Sequence, residues 1–423
     1  MTARVTVVCG VNWGDEGKGR MVDYLAENAG VVVRFQGGNN AGHTVVNQFG
    51  TFALHLVPSG IFYENCLNLL GPGMVIDLEG LVGELDKLTA RNVKVDKLLV
   101  SDRATVVFPF HKKLDEWEER RLAGRAYGST KNGIAPAYGD RHLKKAVRIG
   151  DLLDKKSRHD SVFRSVEWAS LVAKEIYGEA GFSVEETLAW CDRFLPTIEP
   201  RVCDTVEVLS AAARDGKGIL LEAQLGALRD IYYGIYPYTT SSCALSAFAP
   251  IGAGLFGHRA DRVLGVMKAF ATCVGEGPFV TRMSDDEADF LRESAKEYGA
   301  RTGRPRTIGH FDAVASRFGA RVQEATEIAL TKLDSLSGRT ELKICNRYNL
   351  DGTTTEHFPT TGLDRATPVY ETVPGWTEDV TGCRKFGELP KAAQAYVNRI
   401  EELVGTRISY VSVGPERSQL IER

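Results

Sequence analysis

Residues Val5–Thr44 read VTVVCGVNWGDEGKGRMVDYLAENAGVVVRFQGGNNAGHT, and the order of elements in this stretch decides the fold. Its opening apolar run, Val5–Cys9, suits a buried strand. A glycine-rich loop, Gly10–Gly19, follows, and then helical spacing over Met21–Ala29. Strand, glycine loop and helix together present backbone N–H groups and a helix N-terminus to phosphate. Lys18 adds a cation where β- and γ-phosphate oxygens would lie. Gly10 and Gly17 stand too far apart for a strict Walker A motif, and Gly19 replaces its magnesium-binding Ser/Thr. Asp15, inside the loop, is therefore the first candidate for holding Mg²⁺. A second strand, Val31–Phe35, leads into the glycine-dense Gln36–Thr44. Two such loops after successive strands are expected at one carboxyl edge of a parallel sheet.

Composition narrows the partners. A net charge of −3 leaves no basic footprint for nucleic acid or a membrane surface. No run approaches about 18 consecutive apolar residues, and no charged-then-apolar signal pattern opens the chain. The eight cysteines are scattered without a CxxC pair, as reduced thiols are, so a cytoplasmic enzyme without a disulfide frame or zinc site is expected.

Helical spacing is expected at Leu78–Arg91, His111–Ala126, about 151–200, Asp285–Tyr298, Phe311–Glu327 and Leu389–Val404. Strand-like runs fall at Leu98–Val100, Val106–Phe108, Gly218–Leu221, Val263–Phe270, Ile328–Leu330 and Ile408–Val413, with Tyr370–Trp376 continuing the alternation. Gly128–Arg148 reads as a loop whose hydroxyls and backbone donors suit an anion. The hydroxyls of Tyr236–Ser242 suit phosphate or helix caps. Arg301, Arg304 and Arg306 would repel one another without an anion among them. Thr331–Asp334 ends a strand with a Lys/Asp pair suited to guanine, since the carboxylate accepts from N–H donors that adenine lacks. No repeat or linker interrupts the chain. The expectation is one α/β, P-loop NTPase-like domain over 1–423, with a large, mostly parallel central sheet flanked by helices and a helical insert at about 151–200.

WGDEGKG and QGGNNAGHT resemble the adenylosuccinate synthetase family. Similar segments continue in family order through HLVPSGI (His55–Ile61), GIAPAYGDR (Gly133–Arg141), YPYTTSS (Tyr236–Ser242), TGRPR (Thr302–Arg306), TKLDSLSG (Thr331–Gly338) and VGPER (Val413–Arg417), covering essentially the whole chain. The resemblance implies a homodimeric, Mg²⁺-using enzyme of purine biosynthesis that couples GTP hydrolysis to joining L-aspartate with C6 of IMP. The 6-oxygen is a poor leaving group, so it is phosphorylated before the amine displaces it.

By matching position, the resemblance makes Asp15 the base at N1 and a metal ligand with the Gly42 carbonyl, His43 the general acid, and Lys18 the cation at the transferring phosphoryl. It assigns Gly14, Glu16, Gly17, Gly19 and Thr44 to the GTP phosphates, and Lys332, Asp334, Ser412 and Gly414 to guanine. Asn40, Thr130, Lys144, Gln224, Leu225, Thr240, Val274 and Arg304 fall to the acceptor nucleotide; Arg301, Thr302 and Arg306 fall to the amino acid. Lys144 stands where the family has an arginine that crosses to the partner subunit.

The departures cluster on the acceptor side. GSTKNGIAPAY replaces GTTGRGIGPAY and puts Lys131 and Asn132 in a phosphate loop. LEAQLG replaces FEGAQG and puts Leu225 where a purine-pocket glutamine is expected, with the neighbouring Gln224 pointing elsewhere. Thr307, His310 and Cys273 replace an arginine, a tryptophan and another arginine, and Arg301 replaces a threonine. Leu225 therefore favours an alternative, a paralogue with the same mechanism acting on GMP, dGMP or another purine nucleotide, or on another amine. A non-catalytic GTP-binding protein is the third reading, which the retained Asp15 and His43 oppose.

Overall fold

Val5–Gly10 (β1) takes the middle of the sheet because both of its faces are apolar. Val5, Val7 and Cys9 enter one buried cluster and Val8 enters another. The computed structural model describes residues 4–40, 42–47, 49–299 and 303–423, so Arg301 and Thr302 lie outside the described residues. The sheet continues with β2 (Val31–Arg34), β3 (Leu67–Leu70), β4 (Leu98–Ser101), β5 (Val202–Cys203), β6 (Ile219–Gly226), β7 (Arg262–Lys268), β8 (Glu327–Thr331), β9 (Ile408–Ser412) and β10 (Leu420–Glu422). Their spatial order is β10-β9-β8-β7-β1-β6-β2-β3-β4-β5. All neighbours pair in parallel except β9 with β10.

Helix α1 (Lys18–Ala26) covers one face, its Met21, Val22 and Ala26 packing on Val8, Val32, Leu220 and Val266. Burying a side chain of the size of Met21 contributes about 1.5–3 kcal/mol. Leu209, Ala212 and Ala213 of the helix Thr205–Arg214, with Ala249 and Ala253, cover the opposite face. The sheet is thus sandwiched, as an α/β architecture requires. The helices Arg158–Tyr177 and Val184–Ile198 supply the expected helical content of about 151–200, and Val162, Ala169 and Leu195 join a cluster with Leu98 and Val100.

Three local expectations are corrected. Gly128–Arg148 is not loop throughout: Ile134–Leu143 is a helix, because Ile134, Ala137 and Tyr138 bury one face behind the glycine run. Of the expected strand Val106–Phe108 only Val106 pairs, in the two-residue strand Thr105–Val106. Tyr370–Trp376 does not extend the α/β alternation; Thr367–Trp376 pairs antiparallel with Arg339–Leu350 as a separate ribbon.

One irregularity positions the site. Between the pairs Val8–Glu222 and Gly10–Gly226, β1 has one residue, Cys9, and β6 has three, Ala223, Gln224 and Leu225. This bulge puts Leu225 at φ 57, in the left-handed region that side chains enter at a cost of about 1–3 kcal/mol.

Candidate active site

The loop after β1 folds around its own carboxylate. Glu16 accepts from the backbone N–H of Asn12 (3.1 Å) and Gly14 (2.8 Å) and pairs with Lys18 Nζ at 2.6 Å, all out of water. Its side chain therefore shapes the loop and neutralises Lys18, so any phosphate contact from this residue falls to its backbone. Gly14 (φ 102), Asp15 (φ 58) and Gly17 (φ 101) are left-handed, which curls successive N–H groups toward the start of α1. The N-cap of α1 is Gly17, which has no side chain to cap it, so the helix start can offer its N–H groups to an anion. At Gly19 a Cβ would lie 2.7 Å from the Cβ of His43, so the Ser/Thr of a Walker motif has no room here.

His43 opens the strand His43–Asn47 and is buried. Its Nδ1 lies 2.5 Å from Glu222 Oε1, a carboxylate that also accepts from Ser59 N (2.9 Å) and Ser59 Oγ (2.7 Å) and has Arg34 3.7 Å away. Burial pushes Glu222 up, but Arg34 and then His43 outweigh it and hold the carboxyl down at about 2. An ionised carboxylate only accepts, so Nδ1 carries the hydrogen and Nε2 presents its lone pair. Nε2 is buried with no hydrogen-bond partner among the described residues. Burial, then Arg34, lowers the histidine's proton affinity against the pull of Glu222. Glu222 is the main residue the sequence reading missed; it comes 179 positions after His43, on β6, which enters the sheet between β1 and β2.

Asp15, Asn40, Gly42, Thr130, Leu225, Thr240, Val274 and Arg306 line one cavity of about 630 Å³ with Trp13 and Thr272. Thr240 Oγ1 is buried there without a hydrogen-bond partner among the described residues. Gln224 is corrected: it lies fully buried beneath Gly37 and Gly38, its Nε2 donating to the Gly38 carbonyl at 2.8 Å, and Leu225 faces the cavity instead. Arg304 and Lys131 line an adjoining cavity of about 1190 Å³ that shares Tyr236 and Tyr238 with the first. Arg306 turns inward, its Nη2 2.7 Å from Asp15 Oδ2 and its Nη1 on Glu297. Lys144 is exposed at the end of its helix and outside both linings, and Thr44 is exposed on its hairpin.

Cys273 does not leave the site without a guanidinium. Arg229 reaches it from the segment after β6, Nη2 donating to Cys273 Sγ (2.7 Å) and the Val274 carbonyl (2.9 Å), Nη1 to the carbonyls of Glu276 (3.0 Å) and Tyr238. It braces the cavity wall, and its sequence neighbours gave no signal of it.

The residues expected at guanine gather at the ends of β8 and β9, where Leu333 N donates to the Ser412 carbonyl at 3.2 Å. Lys332 is left-handed (φ 64), and Asp334 starts a short turn. Burial raises the Asp334 proton affinity against the pull of Lys332 and Arg20. Arg20 of α1 ties this corner down, donating to Ser412 Oγ, the Gly414 carbonyl (2.7 Å) and the Glu416 carbonyl (2.6 Å). Phosphate loop and base corner are thus fixed to one helix.

A doubly covered parallel sheet with a phosphate loop, a base corner and a carboxylate-backed histidine at one strand edge defines a nucleotide-dependent α/β enzyme that transfers phosphoryl groups. The sequence profile of the adenylosuccinate synthetase family matches residues 7–421, and the chain belongs to that family, a family of GTP-dependent ligases. It is 51% identical over 419 residues to adenylosuccinate synthetase 2 of Pseudoalteromonas translucida, covering 99% of both chains. It is 44% identical to the adenylosuccinate synthetase of Caldanaerobacter subterraneus subsp. tengcongensis, covering 99% and 98%. The fully ligated adenylosuccinate synthetase from Plasmodium falciparum superposes with a TM-score of 0.93 at 32% identity, covering 100% of both chains. The succinoaminodeoxyadenylate synthetase of cyanophage S-2L, bound to dGMP and dATP, shares the fold at TM-score 0.61 and 19% identity, covering 100% and 96%. Among the described residues no helix is long and apolar enough to cross a membrane.

Proposed function

We propose that this chain joins L-aspartate to C6 of IMP at the expense of GTP, through a 6-phosphoryl intermediate. One observation carries the reading: Asp15, Asn40 and Gly42, from the loops after β1 and β2, line one cavity with Thr130, Thr240, Val274 and Arg306 from four distant segments. Asp15 takes the N1 proton and makes O6 nucleophilic. Lys18 and the N-terminus of α1 hold the donor phosphates. His43 donates through Nε2 to the transferring phosphoryl, with Glu222 holding the ring and stabilising its protonated form. Lys332, Asp334, Ser412 and Gly414 select guanine, and Arg306 with Arg301 and Thr302 receives the amino-acid carboxylates.

Among the described residues no three His, Cys, Asp or Glu side chains converge on a metal site. Mg²⁺ takes one or two protein oxygens and completes its shell with phosphate oxygens and water. Asp15 and the Gly42 carbonyl, both hard oxygen donors lining the cavity, would hold it. Bound there, it would neutralise charge on the donor phosphates. We read residues 1–423 as one unit working as a homodimer in the cytoplasm. Lys144, exposed and outside its own chain's cavity, supports a contribution to the second copy.

Leu225 on the cavity wall favours a second acceptor reading, since an isobutyl group cannot pair with a purine edge as a glutamine does. Phosphate release from GTP with Mg²⁺ and L-aspartate, across IMP, GMP and dGMP, tests both. Turnover with IMP is expected; silence with IMP and turnover with GMP or dGMP would move the assignment to the second acceptor.

A further inference from the structure

Glu297 takes no part in the chemistry above, yet it joins residues from three of its regions. Its side chain has no solvent exposure, and it follows the helix Asp285–Ala295. Lys268 of β7 reaches its Oε2 at 2.7 Å, and Arg306 reaches the same oxygen. Lys332 stands 3.9 Å from Oε1, an oxygen buried without a hydrogen-bond partner among the described residues. Burial pushes this carboxyl up, but Lys268, Arg306 and Lys332 outweigh it and hold it at about 2.

Each cation leads elsewhere. Arg306 holds Asp15 with its other nitrogen, Lys332 belongs to the guanine corner, and Lys268 donates to Thr272 on the cavity wall (2.7 Å). A buried ion cluster is weak evidence for stability, because desolvation offsets most of the attraction. It is a good means of fixing where a shared guanidinium points.

We propose that Glu297 is a positioning residue that couples guanine binding to amino-acid binding through its joint hold on Lys332 and Arg306. The inference rests on the assignment of those two residues to guanine and to the amino acid. Arg306 is split between Glu297 and Asp15. An arriving dicarboxylate takes the Asp15-facing edge of the guanidinium while Glu297 keeps the other edge, so the arginine is aimed and the base released in one motion. A nucleotide that draws the Lys332 ammonium aside leaves Oε1 less neutralised and tightens the grip on Arg306. Guanine occupancy thereby prepares the amino-acid site, and by reciprocity the reverse holds.

The test is steady-state kinetics of wild type, Glu297→Gln, Glu297→Asp and the charge-balanced Lys268→Met/Glu297→Gln, with melting temperatures for all. Glu297→Gln is expected to raise KM for aspartate about tenfold and KM for GTP severalfold while leaving KM for the acceptor nucleotide within twofold. It is also expected to abolish the dependence of aspartate KM on GTP concentration, and Glu297→Asp should restore part of it. Unchanged KM values, or a uniform fall in kcat that tracks melting temperature and is repaired in the charge-balanced variant, would overturn the proposal. Wild-type turnover in the same assay separates that failure from failure of the functional reading.

Discussion

The donor side and the acceptor side of the cleft are built on different terms. On the proposed donor side, charged groups are already held: Lys18 by Glu16 and His43 by Glu222, both pairs buried, and the partly buried Arg20 by the Ser412–Glu416 turn. On the proposed acceptor side the lining is largely neutral, with Asn40, Thr130, Thr240, Leu225 and Val274, and its arginines are already held, Arg306 by Asp15 and Glu297 and Arg229 by Cys273 and backbone carbonyls. Phosphoryl transfer depends on charges fixed before the reaction starts, so its groups are locked by second partners. Nucleotide recognition depends on shape and a few hydrogen bonds, which single substitutions can rewrite. The departures seen in the sequence fall on that second side.

Asp15→Ala should break this contrast most severely, abolishing phosphate release while calorimetric GTP binding stays within a few-fold. Near-normal turnover would remove Asp15 from the base role. Glu222→Gln comes next. It leaves the shape but lifts the charge that supports His43, and kcat should fall by about 10²–10⁴. Glu222→Ala should in addition cost about 3–5 kcal/mol in chemical denaturation, because Arg34 is left buried without its counter-charge. Leu225→Gln sharpens the comparison from the other side. It should leave denaturation nearly unchanged and shift the IMP-to-GMP ratio of kcat/KM by about 1–3 kcal/mol, roughly 5- to 150-fold.

The smallest effect is in pH. Glu222 and Glu297 sit at about 2, below the ordinary 4.5, so their stabilisation is complete above 4.5 and lost as pH falls toward 2. Asp312, capping its helix and bonded to Tyr348 at 2.6 Å, has the opposite sign: burial pushes it from 3.8 to about 6. Its contribution favours folding at low pH and is lost as pH rises through 6. Asp312→Asn, which keeps a cap, should flatten the denaturation midpoint between pH 4 and 6 without touching the acid loss below 4.5.

Much of this was legible in Val5–Thr44. Apolar runs with glycine loops gave β1, α1 and β2, and unpaired N–H groups at a helix start follow from local geometry. That Lys332 and Asp334 fall together at the end of a strand was legible because the apolar run before them ends there. Glu222 and Arg229 were not, since each acts through a partner that is distant in sequence, and a carboxylate within an apolar strand carries no local mark of that partner. The ribbon pairing Arg339–Leu350 with Thr367–Trp376 was missed for a related reason: apolar alternation gives strand character but not the direction of pairing.

The bulge in β6 has a consequence for how such an enzyme changes its diet. Gln224 and Leu225 are neighbours, one under the loop and one on the wall, and which of them meets the ligand depends on where three residues are accommodated opposite one. Sliding that accommodation by a single position would trade an isobutyl group for a carboxamide on the wall and leave the strand pairings on either side where they are. A lineage can thus acquire a new acceptor by displacing a kink, with the phosphoryl-transfer machinery inherited untouched.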